Sequence, residues 1–297
     1  MPFAALPGFF RAFESQDSQG VDSSIVDHLE LVSHDSWANL YEQIPPDTDT
    51  EHYKLVVFAR HGQGYHNAAI LRYGMEAWDA HWSFLDGDEH GKWLDSKLTD
   101  LGKGQVQETG LEVLSPIIEE LQMLPHVFFS SPMRRCLETF IGSWGGIFAK
   151  NNHHLREQTI PVRVVENIRE TLGEHTCDKR VPHSESVKEY QNYKTHAGHT
   201  IDWLYDSNYP EQDQLWLEDH RETISELDQR LHAGLSQIFS QLSSDQRFVS
   251  ITCHSGVIGS ALRNFKHPPV QNLNTGKVVC AVVKIDVKKL QENGTSL

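Results

Sequence analysis

The segment YKLVVFA, residues 53–59, constrains this chain more than any other. Its side chains are apolar and β-branched with little polar alternation, so both faces of the strand must be covered. That condition is met by a parallel strand inside a sheet flanked by helices on both sides. The run stops abruptly at Arg60, His61, Gly62, Gln63 and Gly64, and a helix is expected near Asn67. Polar groups at the carboxyl end of a buried strand stand where open α/β sheets bind ligands.

The same grammar recurs. Thr99 is a candidate cap for a helix carrying Val106, Leu111, Leu114, Ile117, Ile118 and Leu121 at spacings of three and four. HVFFS (126–130) runs into Ser131, a candidate cap, and Pro132, suited to the first helical position. IPVRVVE (160–166) leads to Arg169 and Glu170, and FVSIT (248–252) ends at Cys253, His254, Ser255 and Gly256. Thr223 and Glu226 have capping-box spacing before another apolar helix, and KVVCAVVKI (277–285) supplies a last strand. The expected architecture is α/β, three layers with a mostly parallel central sheet. Residues 1–52 read as an N-terminal extension packed on the core, with an amphipathic helix over 25–44 closed by the turn-forming PPDTDTE stretch. Residues 53–290 read as the catalytic domain, with a polar, weakly periodic, lid-like insertion over about 176–220.

Charge limits the partners. Asp and Glu number 41 against 26 Lys and Arg, a formal charge of −15, with no dense basic cluster, so nucleic acid is not an expected partner. An anionic small molecule would meet the same repulsion, and a site for one must be a compact local concentration of cationic groups. The four cysteines form no CxxC pair or zinc spacing and read as reduced thiols. The start, MPFAALPGFFRAF, lacks a basic region before its apolar run, and no apolar stretch reaches membrane-spanning length. Neither a signal peptide nor a membrane partner is expected, and the setting is read as cytoplasmic or nuclear.

Three strand ends supply groups suited to a dianionic phosphoryl group: Arg60 and His61 with two glycines, then Arg135, then His254. An imidazole attacks phosphorus only through a neutral nitrogen, so its other nitrogen should donate to a fixed acceptor, for which the carbonyl of Gly62 is the candidate. Arg60 and Arg135 offer guanidinium forks for the phosphoryl oxygens, and His254 is expected to donate to them as an imidazolium. Asn67 is placed to orient nucleophile or phosphate from a helix start. Glu170 is the candidate general acid for the leaving alkoxide and base for water, with Glu174 and Asp178 as alternatives. Gln63, Gly64, Lys179, Arg180 and His183, near Cys177, form a candidate substrate wall, against which stands a plain surface-loop reading. The GQGYHN run fails as a dinucleotide loop because Asn67 occupies the third glycine position. His153, His154, His175, His183, His196 and His199 lack defined zinc geometry and read as hydrogen-bonded or solvated side chains, so no metal or cofactor is expected.

Taken together, Arg60-His61-Gly62, Asn67, Arg135, Glu170 and His254 make the chain resemble the histidine phosphatase superfamily, in its phosphoglycerate-mutase-like branch, and within it a group of fungal phosphomutase-like proteins. The resemblance covers about residues 53–285 and extends in the fungal group into the first 50. It implies a phosphoglycerate-mutase-like fold, phosphorylation of His61, phosphate binding by Arg60, Asn67, Arg135 and His254, acid and base work by Glu170, and no metal. One departure bears on substrate: phosphoglycerate mutases usually continue the signature with Glu and Ser, where this chain has Gln63 and Gly64. The expected activity is a metal-independent phosphomonoesterase acting on small phosphorylated metabolites and releasing inorganic phosphate. A phosphoglycerate-type mutase and a noncatalytic phosphate-binding scaffold are the alternatives; oligomeric state is left open.

Overall fold

The computed structural model describes residues 1–14, 29–150, 159–270 and 273–294. The first residues of the helix expected over 25–44, and the pair His153 and His154, lie outside them; residues 30–36 are described and not helical, so that helix is confined to Trp37–Gln43, with Ser36 accepting from Asn39 N–H as its cap. Ten strands are described: β1 (Phe3–Ala5), β2 (Glu51–Arg60), β3 (Gly87–Asp88), β4 (Gly91–Lys92), β5 (Val127–Ser130), β6 (Thr159–Val164), β7 (Tyr193–Lys194), β8 (Thr200–Leu204), β9 (Phe248–Cys253) and β10 (Val278–Asp286). β3 and β4 form a separate hairpin, and the rest make one sheet in the order β1-β10-β2-β9-β5-β6-β8-β7. The five strands from β2 to β8 in that order run parallel, while β10, β1 and β7 are antiparallel to their neighbours.

The alternation of β2 divides the core into two layers. Leu55, Val57 and Ala59 pack against the helices Trp37–Gln43, Ser115–Leu121 and Arg134–Lys150. Val56 and Phe58 face the helices Ile224–Ser240 and Ser255–Asn264. Both directions are dry, which is why the strand reads as an unbroken apolar run. Each such Leu, Val or Phe side chain contributes roughly 1.5–3 kcal/mol of burial. Lys54 is fully buried on this strand and is held by Asp47 Oδ2 at 3.0 Å and the Ser243 carbonyl at 3.1 Å. Phe3 on β1 is buried beside Phe239 and Phe265, so the first residues add a strand to the sheet's edge.

Register places the site. Arg60 is level with Cys253 across β2 and β9, and Ser130 with Thr252 across β5 and β9. His61 N–H then donates to the Cys253 carbonyl at 3.0 Å, and Ser131 N–H to the Thr252 carbonyl at 2.9 Å. The ladder thus runs one residue past the strands and brings His61, Ser131 and His254 to a common edge.

Several boundaries differ from expectation. Thr99 does cap its helix, its hydroxyl accepting from Gly102 N–H at 3.1 Å, but the helix widens into a π turn at Thr109–Leu114 before continuing. The helix after β5 begins at Arg134, two residues later than Pro132 suggests, and the one after β2 begins at Tyr65, two before Asn67. Within 176–220, Thr200–Leu204 is a sheet strand with Ile201 and Trp203 buried, and His183–Tyr190 is a helix. The alternation of TIDWL marks it as a strand near the sheet's edge, too short and polar to stand out from its surroundings. Among the described residues no helix is long and apolar enough to cross a membrane.

Candidate active site

His61 lies where β2 ends and is 1% exposed. Its Nδ1 is 2.7 Å from the Gly62 carbonyl, an acceptor only, so Nδ1 carries the proton and the Nε2 lone pair is available. Burial, then the charges of Arg135 and Arg60, push this imidazole well below its ordinary pKa, so the ring is neutral at physiological pH. The turn is held from outside: Gly62 N–H donates to Thr139 Oγ1 at 3.1 Å, and that hydroxyl donates to the Arg135 carbonyl at 2.7 Å. A Cβ on Gly62 would lie 2.5 Å from the Gly102 carbonyl oxygen, so helix Asp100–Glu108 can approach only because this residue is glycine.

Arg60 and Arg135 flank the ring. Arg60 donates through Nη1 to the Leu273 carbonyl, while its Nε is buried without a partner among the described residues. Arg135 is fully buried and spans three contacts: Nε to His254 Nδ1 at 3.2 Å, Nη1 to the Cys177 carbonyl at 2.7 Å, and Nη2 to Asp178 Oδ1 at 2.9 Å. Asp178 Oδ2 also accepts from Arg221 Nη1 at 2.9 Å. Burial opposes the charge on Asp178, yet Arg135 and Arg221 outweigh it and hold the carboxyl below its usual range. Asp178, an alternative acid in the sequence, is therefore an ionised bridge between two guanidiniums.

His254 differs from expectation. It is fully buried, with its ring centroid 5.1 Å from that of His61. Because Arg135 Nε–H occupies Nδ1, the proton of His254 is on Nε2 and points to Ser131 Oγ at 2.8 Å. Burial followed by Arg135 and the neighbouring imidazoles keeps the ring neutral, so the imidazolium expected from the sequence is not the resting form. Ser131, read as a helix cap, serves here as the partner of this imidazole.

Glu170 borders the cleft beside the start of helix Ser255–Asn264. Its Oε2 accepts from Gly256 N–H at 3.2 Å and its Oε1 from Thr171 N–H at 3.0 Å. A Cβ on Gly256 would stand 2.1 Å from Oε1, so the missing side chain there makes room for the carboxylate. Asn67 lines the cleft while its Oδ1 accepts from Gly64 N–H at 2.9 Å, which makes it part of the helix cap as well.

Arg60, His61, Asn67 and Glu170 border one cleft of about 340 Å³ together with His66, Trp78, His175, Cys177, Asp178 and Arg221, while Ile70, Met75 and Asp79 add further wall; Arg135 and His254 are fully buried and are not among the residues that line it. The expected wall is elsewhere. Arg180 is buried and donates to the carbonyls of Val181, Pro210, Glu211 and Gln212 because the turn at 210–213 closes over it. Lys179 is exposed with its ammonium 4.5 Å above the Trp216 ring, and His183 packs against Tyr205 and Tyr209. Gln63 turns its amide oxygen to the Thr99 hydroxyl at 2.8 Å, and Gly64 is the N-cap residue of the next helix. None of these five lines the cleft. Arg221 and His66, neither assigned a role from the sequence, do; Arg221 lies about fifty residues from its partners at Thr171 and Gly173, too far for spacing to reveal it.

A cation is a poor fit. The side-chain donors of His175, Cys177 and Asp178 lie within 4.8 Å of one another, but both Asp178 oxygens are bound to arginines and burial raises the Cys177 thiol well above its ordinary pKa. Convergent guanidiniums and an available imidazole nitrogen suit an anion instead.

A sequence profile of the histidine phosphatase superfamily (branch 1) matches residues 56–295. A Saccharomyces cerevisiae protein described as a probable phosphoglycerate mutase, PMU1, is 60% identical over 287 residues, 97% of each chain. An Arthroderma benhamiae protein, also described as a probable phosphoglycerate mutase, is 36% identical over 234 residues, covering 79% of this chain and 64% of its own. A solved phosphoglycerate mutase from Bacillus anthracis aligns over 79% of this chain and 89% of its own at 14% identity, with a TM-score of 0.43. The profile spans every strand end that builds the cleft, and the chain belongs to the histidine phosphatase superfamily.

Proposed function

We propose that this protein is a phosphatase of small phosphate monoesters that works through a phosphohistidine at His61. The observation that carries the reading is the buried His61 ring with its Nδ1 proton committed to the Gly62 carbonyl at 2.7 Å, in a cleft that also holds Arg60 and Glu170. In the first step Nε2 bonds to phosphorus, the bond from phosphorus to the ester oxygen breaks, and the departing alkoxide takes the proton of the Glu170 carboxyl. In the second step the Glu170 carboxylate accepts a proton from water as its oxygen attacks phosphorus, the bond to Nε2 breaks, and inorganic phosphate leaves. Arg60 and Arg135 oppose the charge on the phosphoryl oxygens, the contribution that dominates such transfers. No step calls on a metal.

Return of the phosphoryl group to a bound sugar acid, a mutase reaction, is the second reading, favoured by the descriptions of the relatives. Hydrolysis is supported by the cleft wall, where Met75 and Asp79 are exposed and admit water. The test is rapid alkaline quenching of enzyme mixed with ³²P-labelled ester, wild type beside His61→Ala, with product analysis on 3-phosphoglycerate. Acid-labile label on wild type alone, and phosphate release exceeding isomer formation, are expected. Absence of label across a broad ester panel would favour a binding role, and isomer in excess a mutase.

A further inference from the structure

The cleft contains a third imidazole that these two steps do not use. His66, on the first turn of helix Tyr65–Tyr73, is 7% exposed and lines the cleft with its ring centroid 5.5 Å from that of His61. Its backbone is fixed by donation to Ser96 Oγ at 3.3 Å. Its Nδ1 is enclosed and has no partner among the described residues. That nitrogen faces Gly64 and is closed to the cleft, so the ring meets a cleft ligand only through Nε2, which is neither enclosed nor hydrogen-bonded among the described residues.

Gly64 supports this reading. Its backbone angles, φ −88° and ψ 167°, are open to any residue, so glycine is not needed for conformation. It is needed for space: a Cβ there would lie 2.7 Å from His66 Nδ1 and 2.8 Å from both His66 Cε1 and Ser96 Oγ. The chain gives up a side chain at this turn to let the imidazole sit beside His61. The guanidiniums of Arg135 and Arg60 act on His66 as they do on His61.

We infer that His66 is a ligand of the phosphoryl group, hydrogen-bonding one nonbridging oxygen in the bound ester and again when the group is carried by His61. The inference rests on the phosphohistidine reading for its second half, while its first half requires only that the cleft bind phosphate. The experiment therefore measures inorganic phosphate binding by titration calorimetry and, separately, p-nitrophenyl phosphate turnover, for wild type, His66→Phe, His66→Gln and Gly64→Ala, with a melting curve for each. His66→Phe should weaken phosphate binding and lower kcat/KM about tenfold or more, and His66→Gln, which keeps a donor, should recover most of both. Gly64→Ala keeps the imidazole but displaces it, and should weaken phosphate binding even if His66→Phe does not fold. Wild-type phosphate affinity in a folded His66→Phe, or in Gly64→Ala, would overturn the assignment. If wild type binds phosphate but never carries label on His61, the catalytic reading fails while the phosphate contact stands or falls on its own data.

Discussion

Replacing Gly256 with alanine isolates the acid and base work of Glu170 from the rest of the site. The new Cβ would stand 2.1 Å from Glu170 Oε1, so the carboxylate must retreat by about 1 Å, a displacement that costs on the order of 100-fold in rate at a reacting centre. That factor corresponds to about 2.7 kcal/mol in the barrier. The fold should tolerate the change, because the clash is with the free end of a flexible side chain and alanine inside a helix is favoured over glycine by roughly 0.5–1 kcal/mol. Stopped-flow kinetics with p-nitrophenyl phosphate, whose leaving group needs little help from an acid, should show a burst of nitrophenol equal to the enzyme present, then turnover slowed about 100-fold as phosphohistidine accumulates. An alkyl phosphate should lose the burst as well. Wild-type turnover of both esters, with an unchanged melting temperature, would refute the role given to Glu170.

Three further outcomes follow from the site's construction. Asp178→Asn removes the negative charge between Arg135 and Arg221, and should cost about 3 kcal/mol in urea unfolding and reduce kcat/KM as Arg135 loses its tether; an unaltered unfolding midpoint would contradict it. Thr139→Val strips the acceptor from the buried Gly62 N–H, and should lower stability by about 1–3 kcal/mol and slow turnover. His61, His66 and His254 are held neutral by burial, whereas unfolded imidazoles take up protons near 6.5. Stability is thus present in full above that pH and is lost as pH falls through it, by about 1.4 kcal/mol per unit for each ring. Unfolding free energies measured at pH 7.5 and 5.5 should differ accordingly, and equality would show that the rings already bind protons in the native state.

The strand ends were the legible part of this molecule, because a buried parallel strand writes its identity in consecutive apolar letters and its carboxyl end in the next two or three. His61 with its Gly62 acceptor and the carboxylate of Glu170 sit where those letters place them. Loop directions were not legible. Lys179, Arg180 and His183 lie close in sequence to Asp178, which borders the cleft, but a guanidinium follows the densest set of acceptors within reach, and for Arg180 that set is the turn at 210–213. The tautomer of His254 likewise depends on Arg135 Nε and Ser131 Oγ, two partners more than a hundred residues away. Short strands near a sheet edge such as Thr200–Leu204 carry too few apolar letters to declare themselves.

The position of β10 carries a consequence for how the molecule is made. The strand that leads to His61, β2, lies between β9 and β10, both contributed by residues beyond 247. A chain leaving the ribosome therefore exposes an apolar, doubly unpaired strand until β9 and β10 have emerged, and closes it only through contacts of long sequence separation, which form slowly. A nascent fragment ending before residue 248 would present β2 as a sticky edge instead of the wall of a cleft.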